Sequence, residues 1–82
     1  MTKPKITFAT TLRSEHHIEE AAQLAEQQGF DVIGAGEHVS FYGDTGNGLI
    51  SLSVAAGATK TIRLMSAITL VPLYPAALLA KM

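Results

Sequence analysis

Apolar and polar positions repeat with two different periods along this chain, and the switches between them mark out alternating strands and helices. Residues 5–10 carry Ile6, Thr7 and Phe8, a β-branched and aromatic run that predicts a first strand. Pro4 suits its entrance, where a missing N–H costs no ladder hydrogen bond. From Ser14 the period lengthens. Ile18, Ala21, Ala22, Leu24 and Ala25 recur at the i, i+3, i+4, i+7 spacing of a helix with one buried face, leaving Gln23, Glu26 and Gln27 on the other side. Ser14 offers an N-cap hydroxyl, and Glu15, Glu19 and Glu20 set negative charge near the positive end of the helix dipole. Gly29 can take the left-handed conformation that ends a helix, which lets Phe30 pack back toward Ala25.

Residues 31–36 follow as a second strand around Val32 and Ile33, with Gly34 and Gly36 where something must approach the backbone closely. Gly43, Asp44, Gly46, Asn47 and Gly48 turn residues 39–48 into a surface loop, the kind of segment that carries function. The small and apolar residues 49–59 predict a second helix packed closely on a sheet. Residues 62–71 form a nearly continuous apolar run, as expected of a parallel strand buried on both faces. Pro75 fits the first turn of a third helix over residues 75–82. Strand and helix alternate throughout, which predicts an α/β fold with parallel strands joined by right-handed crossovers.

Composition narrows the possible roles. With 82 residues, of which 48% are apolar, the chain is rich enough to bury a core. At this size only about 60% of the unfolded surface is buried on folding. The absence of cysteine rules out disulfides and thiolate metal sites and fits a reducing compartment, so the expected localisation is cytoplasmic. A net charge of -1 leaves no basic surplus for nucleic acid or anionic lipid, and the expected partner is a small molecule or another protein. Lys3 and Lys5 before residues 6–12 mimic a secretory leader, but threonines interrupt the run and Arg13 closes it. Residues 64–80 are uncharged, yet they fall short of the ~20 residues of a membrane helix and contain Pro72 and Pro75.

Ligands of parallel α/β sheets bind at the carboxyl ends of the strands. Here those ends predict residues 9–12, 36–41 and 66–74. Glu37 and His38 are the adjacent ionisable pair in this set, and a carboxylate beside an imidazole that titrates near neutral pH suits general acid/base work. The alternative is a strand-end carboxylate bonded to backbone amides next to a solvated histidine. His16 and His17 point roughly 100° apart on a helix and cannot share a metal as an i, i+4 pair could. The stretch 43–48 is glycine-rich but lacks the lysine and Ser/Thr that complete a phosphate-binding loop. Gly34-Ala35-Gly36 lacks the third glycine of a dinucleotide fingerprint, and a loop follows it in place of a helix.

Four blocks, AAQLAEQQGFD at 21–31, GEH at 36–38, ATKTIRL at 58–64 and YPAALLAK at 74–81, taken in this order, resemble the opening of luciferase-like monooxygenases. The resemblance implies a (β/α)8 TIM barrel of which residues 1–82 form the N-terminal part, its first three βα units, and which is incomplete and inactive alone. Such a barrel typically takes ~250 residues. It also implies reduced FMN, or a deazaflavin coenzyme in a sister branch, lying across the carboxyl ends of the strands. The FMN branch oxygenates an organic substrate with dioxygen, and the deazaflavin branch transfers hydride.

Glu37-His38 matches the acidic-histidine motif that ends strand two, so the resemblance makes His38 and Glu37 the catalytic pair and Ala9, Ser66 and Ala67 cofactor contacts. It places a non-proline cis peptide at Ser66-Ala67. Met65 and Ser66 stand where small or glycine residues are usual, and Tyr74 stands where histidine is frequent. The phosphate of the cofactor would be held by loops after strands seven and eight. A reading of another class is a non-catalytic βα module that self-associates through its exposed sheet edges.

Overall fold

The computed structural model describes residues 5–13, 16–39 and 46–82. Among them the order of elements is β1 (Ala9–Thr11), α1 (Ile18–Gln27), β2 (Val32–Ala35), α2 (Gly48–Ala58), β3 (Arg63–Ser66) and α3 (Ala76–Lys81), with a 3-10 turn at Val71–Leu73. The strands form one parallel sheet in the order β1-β2-β3. Both faces of the expectation hold: strands alternate with helices, and consecutive strands are neighbours, as in the opening βα units of a TIM barrel.

β1 starts later than the sequence pattern predicts. The Phe8 N–H donates to Asp31 Oδ2 at 3.0 Å, and the Phe8 carbonyl accepts the N–H groups of Asp31 and Val32. These bonds seat the chain beside β2, and the ladder begins only at Ala9 opposite Val32. Ile6 and Phe8 are consequently exposed and take no place in the core.

α1 begins at Ile18 after His17, whose backbone is left-handed (φ 56°) and whose side chain caps no helix N–H. The expected cap Ser14, the acidic Glu15 beside it and the entrance residue Pro4 lie outside the described residues. Glu19 and Glu20 occupy the acidic first turn as expected. At the other end Gly29 takes φ 89°, its N–H donates to the Glu26 carbonyl at 3.2 Å, and the Phe30 N–H reaches the Ala25 carbonyl at 3.1 Å. Those two bonds are the Schellman closure that the Gly29-Phe30 pair predicts.

α2 opens one residue before its expected start, because Asn47 caps it. Asn47 Oδ1 accepts the N–H groups of Leu49 at 3.0 Å and Ile50 at 3.1 Å. Asparagine is among the best N-cap residues, since its short side chain reaches amides that lack an intrahelical partner. The expected loop before it falls partly on residues 40–45, which lie outside the described residues.

The long buried strand expected over residues 62–71 is corrected to a four-residue β3 that is mostly exposed. β2 stops at Ala35, so the residues after Ser66 have no ladder to join beyond the Ala67 N–H, which donates to the Ala35 carbonyl at 2.9 Å. A non-proline cis peptide follows at Ala67-Ile68, one bond beyond the position that the family resemblance implies. Pro75 stands at the N-cap of α3, just ahead of the helix.

The core sits on one face of the sheet. Ala22 and Ala25 of α1, Ala55 of α2 and Ile33 of β2 are buried together, with Leu12, Ile18, Phe30, Ile62 and Leu64 packed around them. Alanines at the helix contact allow α1 and α2 to lie close to each other and to the sheet. The opposite face carries Ala9, Val32 and Arg63 in one row and Thr11, Gly34 and Met65 in the next.

Candidate functional site

The carboxyl ends of β2 and β3 meet at Gly36. A Cβ built there would lie 2.6 Å from the Ala67 carbonyl oxygen, so only glycine lets the two strand ends approach this closely. Immediately after it comes Glu37, a buried carboxylate. Its Oε1 accepts the Leu70 N–H at 2.8 Å, and the Tyr74 hydroxyl donates to it, at 2.8 Å from Oε2 and 3.0 Å from Oε1. The Gly48 N–H, at the start of α2, also donates to this carboxylate. Asn47 Nδ2 in turn donates to the Tyr74 hydroxyl at 2.7 Å.

Burial pushes the Glu37 carboxyl up, but the Leu70 N–H, the Tyr74 hydroxyl and the Gly48 N–H outweigh it and hold the group below the ordinary carboxylate range. The same bond acts in the opposite direction on its partner. Donation to Glu37, with burial adding to it, raises the Tyr74 phenol above its usual value, against a smaller lowering by Asn47.

His38 is exposed and lines a cleft of about 260 Å³ together with Glu37, Asn47, Leu70 and Tyr74. Ser66 and Ala67 are exposed at the end of β3. Ala9 does not join them. It opens β1, level with Val32 and Arg63, three residues back from Ser66 along the register. At ~3.3 Å per residue that is about 10 Å toward the amino-terminal end of the sheet. The residue of β1 nearest the mouth is Thr11, opposite Gly34 and Met65.

The four leading N–H groups of α2 are all taken: Gly48 by Glu37, Leu49 and Ile50 by the Asn47 side chain, and Ser51 by the Asn47 carbonyl at 2.9 Å. A helix start in this state offers no free amides to a phosphate.

A family model described as luciferase-like monooxygenase matches residues 5–82, nearly the whole sequence. The chain belongs to that family. No curated protein and no solved structure matches it. For a luciferase-like monooxygenase domain, the arrangement puts the acidic-histidine motif at the carboxyl end of β2, on the side of the sheet where parallel α/β proteins bind ligands.

The sequence pointed to Glu37 and His38 but not to what surrounds them. Asn47 read as a turn former, although an asparagine directly before an apolar helical run is also an N-cap signal. Tyr74 stood out only as a departure from the family pattern, and its pairing with a carboxylate 37 positions earlier comes from tertiary structure alone. No helix among the described residues is long and apolar enough to cross a membrane.

Proposed function

We propose that this chain forms the opening three βα units of a (β/α)8-barrel, flavin-dependent monooxygenase in which His38 acts at the mouth of the barrel and Glu37 fixes the segment that carries it. The observation that carries this reading is the family match joined to the position of Glu37-His38, beside the ends of β2 and β3. Reduced FMN would supply the electrons that activate dioxygen toward an organic substrate. The carboxyl end of the sheet suits its ring: Gly36, Ser66 and Ala67 are small, and the latter two are exposed. Thr11 is the better candidate than Ala9 for a contact from β1, given the register. The phosphate finds no holder at α2, whose amides are engaged, which fits a phosphate site built from later strands.

Within this site the roles divide. Glu37 already has its hydrogen bonds within the fold, so its carboxylate serves as an anchor. His38 is exposed and lines the cleft, and an imidazole there is a side chain that can give or take a proton. A deazaflavin coenzyme used for hydride transfer is the second reading of the same site, supported by the same family position.

Titration of a complete barrel containing this chain with reduced FMN and with reduced deazaflavin tests both readings. Saturable binding of FMN, with turnover in dioxygen, is the expected result, and binding of neither cofactor overturns the proposal. In that barrel His38→Ala should lower turnover by roughly 10²-fold or more while leaving the urea midpoint unchanged. An equal loss of stability with no kinetic defect would return His38 to a structural role.

A further inference from the structure

The bonds around Glu37 join three segments that are far apart in sequence. Glu37 lies just after β2, Gly48 and Asn47 open α2, and Leu70 and Tyr74 lie between β3 and α3. We propose that Tyr74 is a positioning residue for His38: its hydroxyl clamps the Glu37 carboxylate against the amides of Leu70 and Gly48, and this locks the segment after β2 in place. The inference rests on reading His38 as the acid/base group of the site.

Geometry makes the phenol the centre of the lock. It donates to both carboxylate oxygens while accepting from Asn47, whose other side-chain atom caps α2. Tyr74 thus ties the anion to the helix start with one side chain. The Gly48 N–H donates to the same carboxylate at the positive end of the helix dipole, which also favours its ionised form. Among the described residues, the titratable groups facing Glu37 are Tyr74, from the segment ahead of α3, and His38, its chain neighbour in the cleft. α2 and the β3–α3 connection present neutral donors.

Removing the hydroxyl leaves the carboxylate buried with fewer donors, so its protonation should occur at higher pH. Protonation then releases the lock, because a carboxylic acid accepts poorly from several amides at once. The segment holding His38 becomes free to move while β1, β2 and the alanine core stay folded.

The test uses the full chain and needs no cofactor. Amide exchange of Leu70 and Gly48 is followed by NMR against pH, alongside the imidazole signals of His38 identified by comparison with His38→Gln. In Tyr74→Phe the exchange of both amides should speed about tenfold, as expected for loss of one hydrogen bond to a charged group. The pH at which their protection is lost should also move up, and the His38 signals should shift at that same pH. Packing alone would weaken protection at every pH without moving the midpoint, and that outcome overturns the proposal. So do His38 signals that ignore the carboxylate step.

Asn47→Ser keeps a helix cap but is too short to reach the phenol, and it should give a smaller shift in the same direction. It serves as the second variant if Tyr74→Phe fails to fold. The two proposals fail separately. A barrel that binds neither flavin nor deazaflavin removes the functional reading and leaves the lock measurable, whereas unchanged His38 signals remove the lock even if His38→Ala abolishes turnover.

Discussion

Two glutamates that look alike in the sequence have become anchors of different kinds. Glu26 sits on the polar side of α1 by periodicity and reads as a solvated residue. In the fold its Oε2 accepts the N–H groups of Lys60, Thr61 and Ile62, at 2.9, 2.7 and 3.0 Å, and the Thr61 hydroxyl at 3.2 Å. The backbone donors of Thr61, Ile62 and Lys60 lower its pKa from 4.5 to about 2, against an opposing effect of burial. A carboxyl depressed in the folded state stabilises the protein above its unfolded pKa, and that contribution disappears as pH falls from 4.5 toward about 2. The urea midpoint should therefore decline over that window, and Glu26→Gln should flatten the decline. A mutant curve parallel to that of the unaltered chain would remove Glu26 as the cause. Residue type and helix period could place Glu26 and Glu37 on their elements, but neither reveals the backbone donors, which arrive from 34 to 36 positions away for Glu26 and 33 away for Leu70 on Glu37.

Local chemistry made some element boundaries legible and left others hidden. The end of α1 could be read from Gly29-Phe30 because both closing bonds are local. The end of β3 could not, since it depends on where β2 stops and on the close approach of Ala67 to Gly36. An apolar run therefore overstated the strand. The helices could be placed from their small residues, and here the structure adds a consequence. Ala55 of α2 is fully buried in the cluster with Ala22 and Ala25 of α1 and Ile33, while Ala56 beside it is exposed. Ala55→Leu would force extra methylenes into this contact and should destabilise the chain by about 1–3 kcal/mol. Ala56→Leu should change stability by less than about 0.5 kcal/mol. Equal denaturation midpoints for the two variants would mean that the helices do not pack through Ala55 as described.

At the scale of the whole molecule, the order of strands and helices was readable because it needs only the two periods, and so were the open edges, whereas the exposure of one sheet face was not. The apolar content predicted a core, yet the buried side chains gather on one face, and Arg63 and Met65 lie exposed on the other. In a barrel, interior rows such as Ala9-Val32-Arg63 and Thr11-Gly34-Met65 are completed by residues from further strands. β1 and β3 are the edges of this sheet, and a largely apolar groove of about 410 Å³ runs between β1 and α1 beside exposed Leu24. Strand edges and uncovered apolar surface favour pairing with another chain. Sedimentation velocity over a concentration series should accordingly show species heavier than one chain. Phe8 is the place to interfere, because it is 62% exposed next to β1 and its role in the fold runs through backbone groups that a substitution retains. Phe8→Lys should weaken association roughly tenfold, equivalent to ~1.4 kcal/mol, while leaving the circular dichroism spectrum unchanged. A monomer at every concentration would show that the open face is tolerated in water. Loss of association only with loss of helical signal would place Phe8 in the fold and away from the interface.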